Sequence, residues 1–253
     1  MGALYDTPVY YELAFSYRDI EEEVDVMEEV IRRHSRRPVG RVLEVCCGHA
    51  PHMPAWLRRG YEYAGIDLSP SMVAYAESRA GQTGGKAEVL RADMTSFSLP
   101  RAVDFAYLPL SSLYVKNSDE MDSHFNAMAE ALRPGGVYLL EWCVNFDPFV
   151  DIVDTWEIDR ESVHIDASYY MRWVDRVEQC VEETIHLCVA HDGKEFELEQ
   201  KAQRRLVFPQ EFLAFIRAHH AFEFVGWWND WNLNLPVEGS EPAHRPITVI
   251  RRV

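Results

Sequence analysis

Residues 42–50 read Val-Leu-Glu-Val-Cys-Cys-Gly-His-Ala, and this stretch constrains the fold more than any other. An apolar run (Val42, Leu43, Val45) enters a turn at Gly48, with the carboxylate of Glu44 near the end of the run. Nineteen residues after Gly48 a second apolar run, from Tyr61 through Ile66, ends in Asp67. A glycine turn at a strand tip, with an acid at the next strand tip about 20 residues on, is the physical recipe for holding a nucleoside. The turn admits a ligand close to the backbone, and the acid accepts hydrogen bonds from ribose hydroxyls.

The surrounding residues discriminate between nucleotides. A dinucleotide turn is built as Gly-x-Gly-x-x-Gly, with the pyrophosphate on the helix N-terminus. Here Gly48 stands alone between Cys46 and Ala50, and the next helix opens with Pro51 and Pro54, which lack backbone N–H donors. Such a turn is poorly equipped for a diphosphate. It suits a nucleoside that carries an amino acid in place of phosphates.

On these residues the chain resembles the class I S-adenosylmethionine-dependent methyltransferases. Leu43 through Ala50 is similar to that family's glycine-rich first motif, with Cys46 and Ala50 at two glycine positions. Gly65-Ile-Asp-Leu-Ser-Pro-Ser-Met72 is similar to the second, Leu90-Arg-Ala-Asp-Met94 to the third, and Ala131-Leu-Arg-Pro-Gly-Gly-Val-Tyr-Leu139 to the turn into the fifth strand. Four motifs in order, over residues 42 to 140, make the resemblance specific. It implies S-adenosylmethionine as donor, S-adenosylhomocysteine as product, and a small-molecule acceptor. The layout of elements is similar to the amino-sugar N-methyltransferases of antibiotic biosynthesis. In those enzymes a long excursion after the fifth strand covers the acceptor and often forms a dimer contact.

Length and charge set outer bounds. At 253 residues the chain fits one α/β domain with an insertion. With 25 basic and 41 acidic residues the net charge is −16, a field that repels nucleic acid. No apolar run approaches the ~20 residues needed to cross a bilayer, so no membrane partner is expected. The five cysteines include the neighbours Cys46 and Cys47 and show no paired pattern or zinc-site spacing, so no metal and a reducing, cytoplasmic setting are expected.

The elements follow from periodicity and punctuation. Asp19 and Glu22 read as a capping box for a helix with an apolar stripe at Ile20, Val24, Met27 and Ile31. Residues 1–37 are expected to form a helical lid. Core strands are expected at about 41–46, up to Asp67, 86–92, 103–108 and 137–143, with a helix capped by Ser69-Pro70 and another capped by Ser118. Residues 144–206 alternate polar and apolar residues around Asp192-Gly193, a hairpin signal. They are read as an antiparallel insertion over the acceptor site. Pro209 opens a helix carrying Phe212, Phe215 and Ile216, and residues 222–228 pair with 246–253 as a last hairpin. The sum is a Rossmann-like, doubly wound, mostly parallel seven-stranded sheet with an antiparallel insertion after the fifth strand.

Candidate site residues follow from the strand tips and the resemblance. Gly48, Asp67, Glu44 and Cys46 belong to the donor turn and its ribose acid. The resemblance adds Leu68 and Met72 from the second motif, and Asp93 and Met94 beside adenine. Tyr11, Tyr17 and Arg18 are candidates for a donor lid, with Arg18 meeting the donor carboxylate. The loop after the fourth strand offers Leu108 to the donor, and Ser111 and Tyr114 to orient or deprotonate the acceptor. Trp228, Asn229 and Trp231 are candidates for an acceptor wall. The acids Asp147, Asp151, Asp154, Glu157 and Asp159 offer attraction for a cationic amine, against the plainer reading of a solvated face. His49, His164 and His186 are weak candidates for a general base. Methyl transfer needs positioning above all, and a base only if the nucleophile arrives protonated. The reading is an N-methyltransferase acting on a small molecule. The alternatives are an O-methyltransferase and a non-catalytic S-adenosylmethionine-binding subunit. A nicotinamide oxidoreductase is the weakest rival, because the phosphate turn is wrong.

Overall fold

A computed structural model of the chain describes residues 2–147, 152–160, 162–239 and 242–253. Two sheets organise it. The larger has seven strands: β2 (Arg41–Val45), β3 (Glu62–Asp67), β4 (Ala87–Arg91), β5 (Val103–Leu108), β6 (Leu132–Glu141), β11 (Phe222–Trp228) and β12 (Ile247–Arg252). Their spatial order is β11-β12-β6-β5-β2-β3-β4. Strands β2 to β6 are mutually parallel, and β12 runs antiparallel between β6 and β11. The chain leaves β2 toward β3 and β4 and later returns to β5 on the other side. The carboxyl ends of β2 and β5 therefore flank the point where the strand order reverses, where ligands of such sheets bind.

All five residues of β2 and all six of β5 are buried, as a parallel sheet covered on both faces requires. One face packs α5 (Ser118–Ala131) and α6 (Pro209–His219) through Phe125, Met128, Phe212 and Ile216. The other packs α2 (Ile20–His34), α3 (Met53–Arg58) and α4 (Pro70–Thr83) through Val24, Met27, Trp56 and Ala76. Local chemistry sets the helix starts. The side chain of Asp19 accepts from the Glu22 amide, and that of Ser69 from the Met72 amide. Asn117, not Ser118, caps α5, accepting from the Glu120 amide at 2.9 Å. Strand β6 starts at Leu132, ahead of the expected Val137, because Leu132 already pairs with Val103. At the opposite edge from the switch-point tips, Asp104 staples three strands: it accepts from Gly40 N, Arg41 N and Arg133 Nη1.

The smaller sheet is the insertion. Strands β7 (Ile152–Arg160), β8 (Val163–Asp175), β9 (Cys180–His191) and β10 (Lys194–Arg205) form an antiparallel meander, and β1 (Gly2–Ala3) adds in parallel to β10. One face packs Ile165, Leu187, Val189 and Leu198 against Leu4 and Ala14 of the N-terminal segment, which includes α1 (Pro8–Ala14). The two-residue turn Asp192-Gly193 joins β9 to β10 with φ of +49° and +74°, the geometry of a type I′ hairpin. A methyl group at Gly193 meets no atom within 4 Å, so only backbone strain opposes it. Gly193→Ala is expected to lower stability by about 1–2 kcal/mol, read from urea denaturation midpoints.

Candidate active site

A cavity of about 660 Å³ opens at the carboxyl ends of β2, β3 and β4 and the loop after β5, within the size range of small-molecule sites. One wall is the switch-point turn and its neighbours: Cys46, Gly48, Asp67, Leu68, Ser69 and Met72, continued by Ala92, Asp93, Met94 and Thr95. The other combines Tyr5 and Tyr11 from the N-terminal segment, Ser112, Tyr114 and Lys116 from the loop after β5, Glu120 of α5, and Gln200 to Gln203 of β10.

The turn has unusual backbone geometry. Cys46, Gly48 and Ala50 all sit in the left-handed region, at φ of +55°, +52° and +52°. Two of them carry side chains there, a conformation that costs about 1–2 kcal/mol per residue and is retained by surrounding structure. Asp67 fixes the turn from the next strand: Oδ2 accepts from Gly48 N and Oδ1 from Ser69 N, both at 2.8 Å. Burial pulls the Asp67 pKa up, against the pull of those amides. Beside it the Cys46 thiol lies 3.7 Å from the Met94 sulfur.

These residues fit an adenosyl ligand. The space around Gly48 is open to 4 Å, the Asp67 carboxylate faces the cavity at the strand tip, and Met94 offers an apolar, polarizable surface. Asp67 would take the ribose hydroxyls, and Asp93 and Met94 the adenine end. When bound, S-adenosylmethionine supplies a methyl group already activated on a cationic sulfur.

Other candidates are placed elsewhere. Glu44 is fully buried and its oxygens are committed: Oε1 to His52 Nδ1 at 2.8 Å, and Oε2 to the hydroxyls of Tyr63 and Tyr107 at 2.6 and 2.9 Å. Arg18 is not held for an incoming carboxylate; it forms a buried fork on Glu23. Tyr17 is largely exposed against Phe15 and Trp156, and Leu108 is core. Ser111 Oγ donates to the Trp142 carbonyl, locking its loop to β6. The expected acceptor wall is not built from the tryptophans. Trp231 Nε1 donates to Glu141 Oε1, Trp228 packs on His34, and Asn229 Oδ1 accepts from His244 N. Asp154, Glu157 and Asp159 are exposed and Asp147 accepts from Ala243 N, so none lines the cavity; Asp151 lies outside the described residues.

Beneath the turn lies a buried ionic network. His52 bridges Glu44 and Glu23, with both ring nitrogens 2.8 Å from a carboxylate oxygen. Two acceptors on one ring require two donors, so His52 is an imidazolium. Burial pulls its pKa down, yet Glu44 and Glu23 outweigh that and raise it. Glu23 also takes Arg18 and Arg245, and Arg245 continues to Glu141 at 2.6 Å. Three carboxylates meet two guanidiniums and one imidazolium, so the cluster is charge-balanced. It ties α2, the β2 tip, the start of α3 and the β6 tip into one support for the donor turn.

Residues 42–136 match the family Methyltransf_25, described as a methyltransferase domain. The chain is an S-adenosylmethionine-dependent methyltransferase. The methyltransferase is 29% identical, over 185 residues, to dTDP-3-amino-3,4,6-trideoxy-alpha-D-glucopyranose N,N-dimethyltransferase of Streptomyces venezuelae, covering 70% of this chain and 72% of that protein. Its fold is shared by DesVI of Streptomyces venezuelae, at a TM-score of 0.77 and 20% identity over 97% of this chain and 96% of that one. It is shared as well by a calicheamicin-pathway amino pentose methyltransferase of Micromonospora echinaspora, at 0.74 and 21% over 96% and 97%. Among the described residues of the methyltransferase no helix is long and apolar enough to cross a membrane.

The network residues Glu23, His52, Glu141 and Arg245 escaped the sequence reading. One signal was available: Glu23 falls on the buried stripe Val24, Met27, Val30 of α2. The cavity residues Tyr5, Lys116 and Gln200 to Gln203 carried none.

Proposed function

We propose that this methyltransferase acts on an amine nitrogen of a small molecule, an amino sugar, by holding the acceptor lone pair in line with the activated methyl. One observation carries the choice of nitrogen. The tyrosines lining the cavity, Tyr5, Tyr11 and Tyr114, are not bases for a phenol or sugar hydroxyl, because burial pushes all three of their hydroxyls up and they stay protonated at neutral pH. They orient an acceptor by hydrogen bonding and do not take its proton. A neutral amine needs no base to react. The relatives' names, which specify amino sugars, support the same class of acceptor.

The reading predicts a particular pH dependence. The rate under subsaturating acceptor is expected to rise with pH and level off at the acceptor's own amine pKa. Two amino-sugar acceptors differing in amine pKa are expected to shift that limb by the same difference. A limb that stays fixed for both acceptors shows an enzyme base titrating and defeats the assignment.

A further inference from the structure

We infer that the outer face of the insertion is a binding site for one zinc-type divalent cation, held by His186, Cys188 and Glu197. The alternation of β9 creates the site. Leu187 and Val189 turn inward to the N-terminal segment, so His186 and Cys188 emerge side by side on the opposite face. The register of β10 then sets Glu197 directly across from Cys188. One donor atom from each of the three lies within 4.8 Å of the other two, and His186 Nε2 stands 3.7 Å from Glu197 Oε2. A tetrahedral zinc ion with bonds of about 2.0–2.3 Å spaces its ligand atoms about 3.3–3.8 Å apart. Small side-chain rotations at a partly open surface close the remaining gap.

Donor chemistry selects the metal. A thiolate, an imidazole and a carboxylate suit zinc and its neighbours, whereas magnesium and calcium take oxygen ligands. The local charge favours a dication too. Asp166 is the β8 partner of Cys188, and Glu157 is the β7 partner of Asp166. One row across four strands therefore reads Glu157, Asp166, Cys188, Glu197, with three carboxylates around one thiol. Three protein ligands leave a fourth position for water or for Asp166. The bound ion would clamp β9 to β10 three residues ahead of Gln200, where β10 reaches the cavity wall.

The test uses the full-length, metal-stripped protein titrated with Zn²⁺ against a chromophoric chelator, and separately with Co²⁺. Wild type is expected to take up one equivalent with a dissociation constant of about micromolar or tighter. Cys188→Ser and His186→Ala are each expected to weaken uptake at least about tenfold, while Cys180→Ser leaves it unchanged. The Co²⁺ form of wild type and of Cys180→Ser shows thiolate-to-metal charge transfer, and that of Cys188→Ser does not. Circular dichroism and S-adenosylhomocysteine titration of the same variants report fold and donor site separately. No stoichiometric uptake, or uptake indifferent to Cys188→Ser and His186→Ala, overturns the proposal.

Discussion

Glu23→Ala is expected to destabilise the fold by about 3–5 kcal/mol, the effect of removing one partner from a buried ion cluster. The loss strands Arg18, which is 3% exposed, and the fully buried imidazolium of His52, whose Nε2 lies 3.4 Å from an Arg18 nitrogen. Urea denaturation of the purified variant measures it, and a cost within about 0.5 kcal/mol of zero, typical of plain surface sites, contradicts the network as described. The pH dependence follows from two signs. Burial pushes the Glu23 carboxyl up, but hydrogen bonds from His52 and Arg18 reverse this and hold it below the usual carboxylate range. Its contribution is present above the ordinary carboxylate value and lost only in strong acid. His52 is raised above its ordinary 6.5. Its contribution is complete below that value and lost as pH rises through the folded pKa. Wild type is therefore expected to lose stability as pH rises above the ordinary histidine value of 6.5, and His52→Ala to lack that part of the slope.

Asp67→Ala is expected to weaken S-adenosylhomocysteine binding by about 1–3 kcal/mol, roughly 5- to 150-fold. The variant removes the acid offered to the ribose and also the acceptor for the Gly48 and Ser69 amides. The turn then loses the clamp that holds Cys46, Gly48 and Ala50 in the left-handed region. Isothermal titration gives the affinity, and a melting curve shows that the variant is folded. Unchanged affinity in a folded variant removes Asp67 from the donor site.

Much of this was legible in the sequence because the signals were local. Asp67 at the end of an apolar run, Ser69-Pro70 at a helix start and Asp192-Gly193 between alternating segments each act within a few residues, and each element stands where the pattern puts it. The buried network could not be read the same way. Glu23 and Arg245 are 222 residues apart, and no local rule pairs them. The tryptophans misled for a related reason. An aromatic cluster near a strand tip suggests a ligand wall, but Trp231 carries an N–H donor, and the buried Glu141 is the acceptor that claims it. The insertion was recognisable as β-structure, yet polar residues such as Gln200 and Gln203 look alike whether they face solvent or a cavity.

The cavity has two sides of separate origin. The parallel sheet supplies the donor side through a strained turn held by Asp67 and buried ions, and β10 supplies part of the facing side from a different sheet. Substitutions along Gln200 to Gln203 leave every strut under the nucleoside half in place. Under the proposed function, edits along that strand are expected to change which acceptor is taken, while the turn that would grip the methyl source stays as it is.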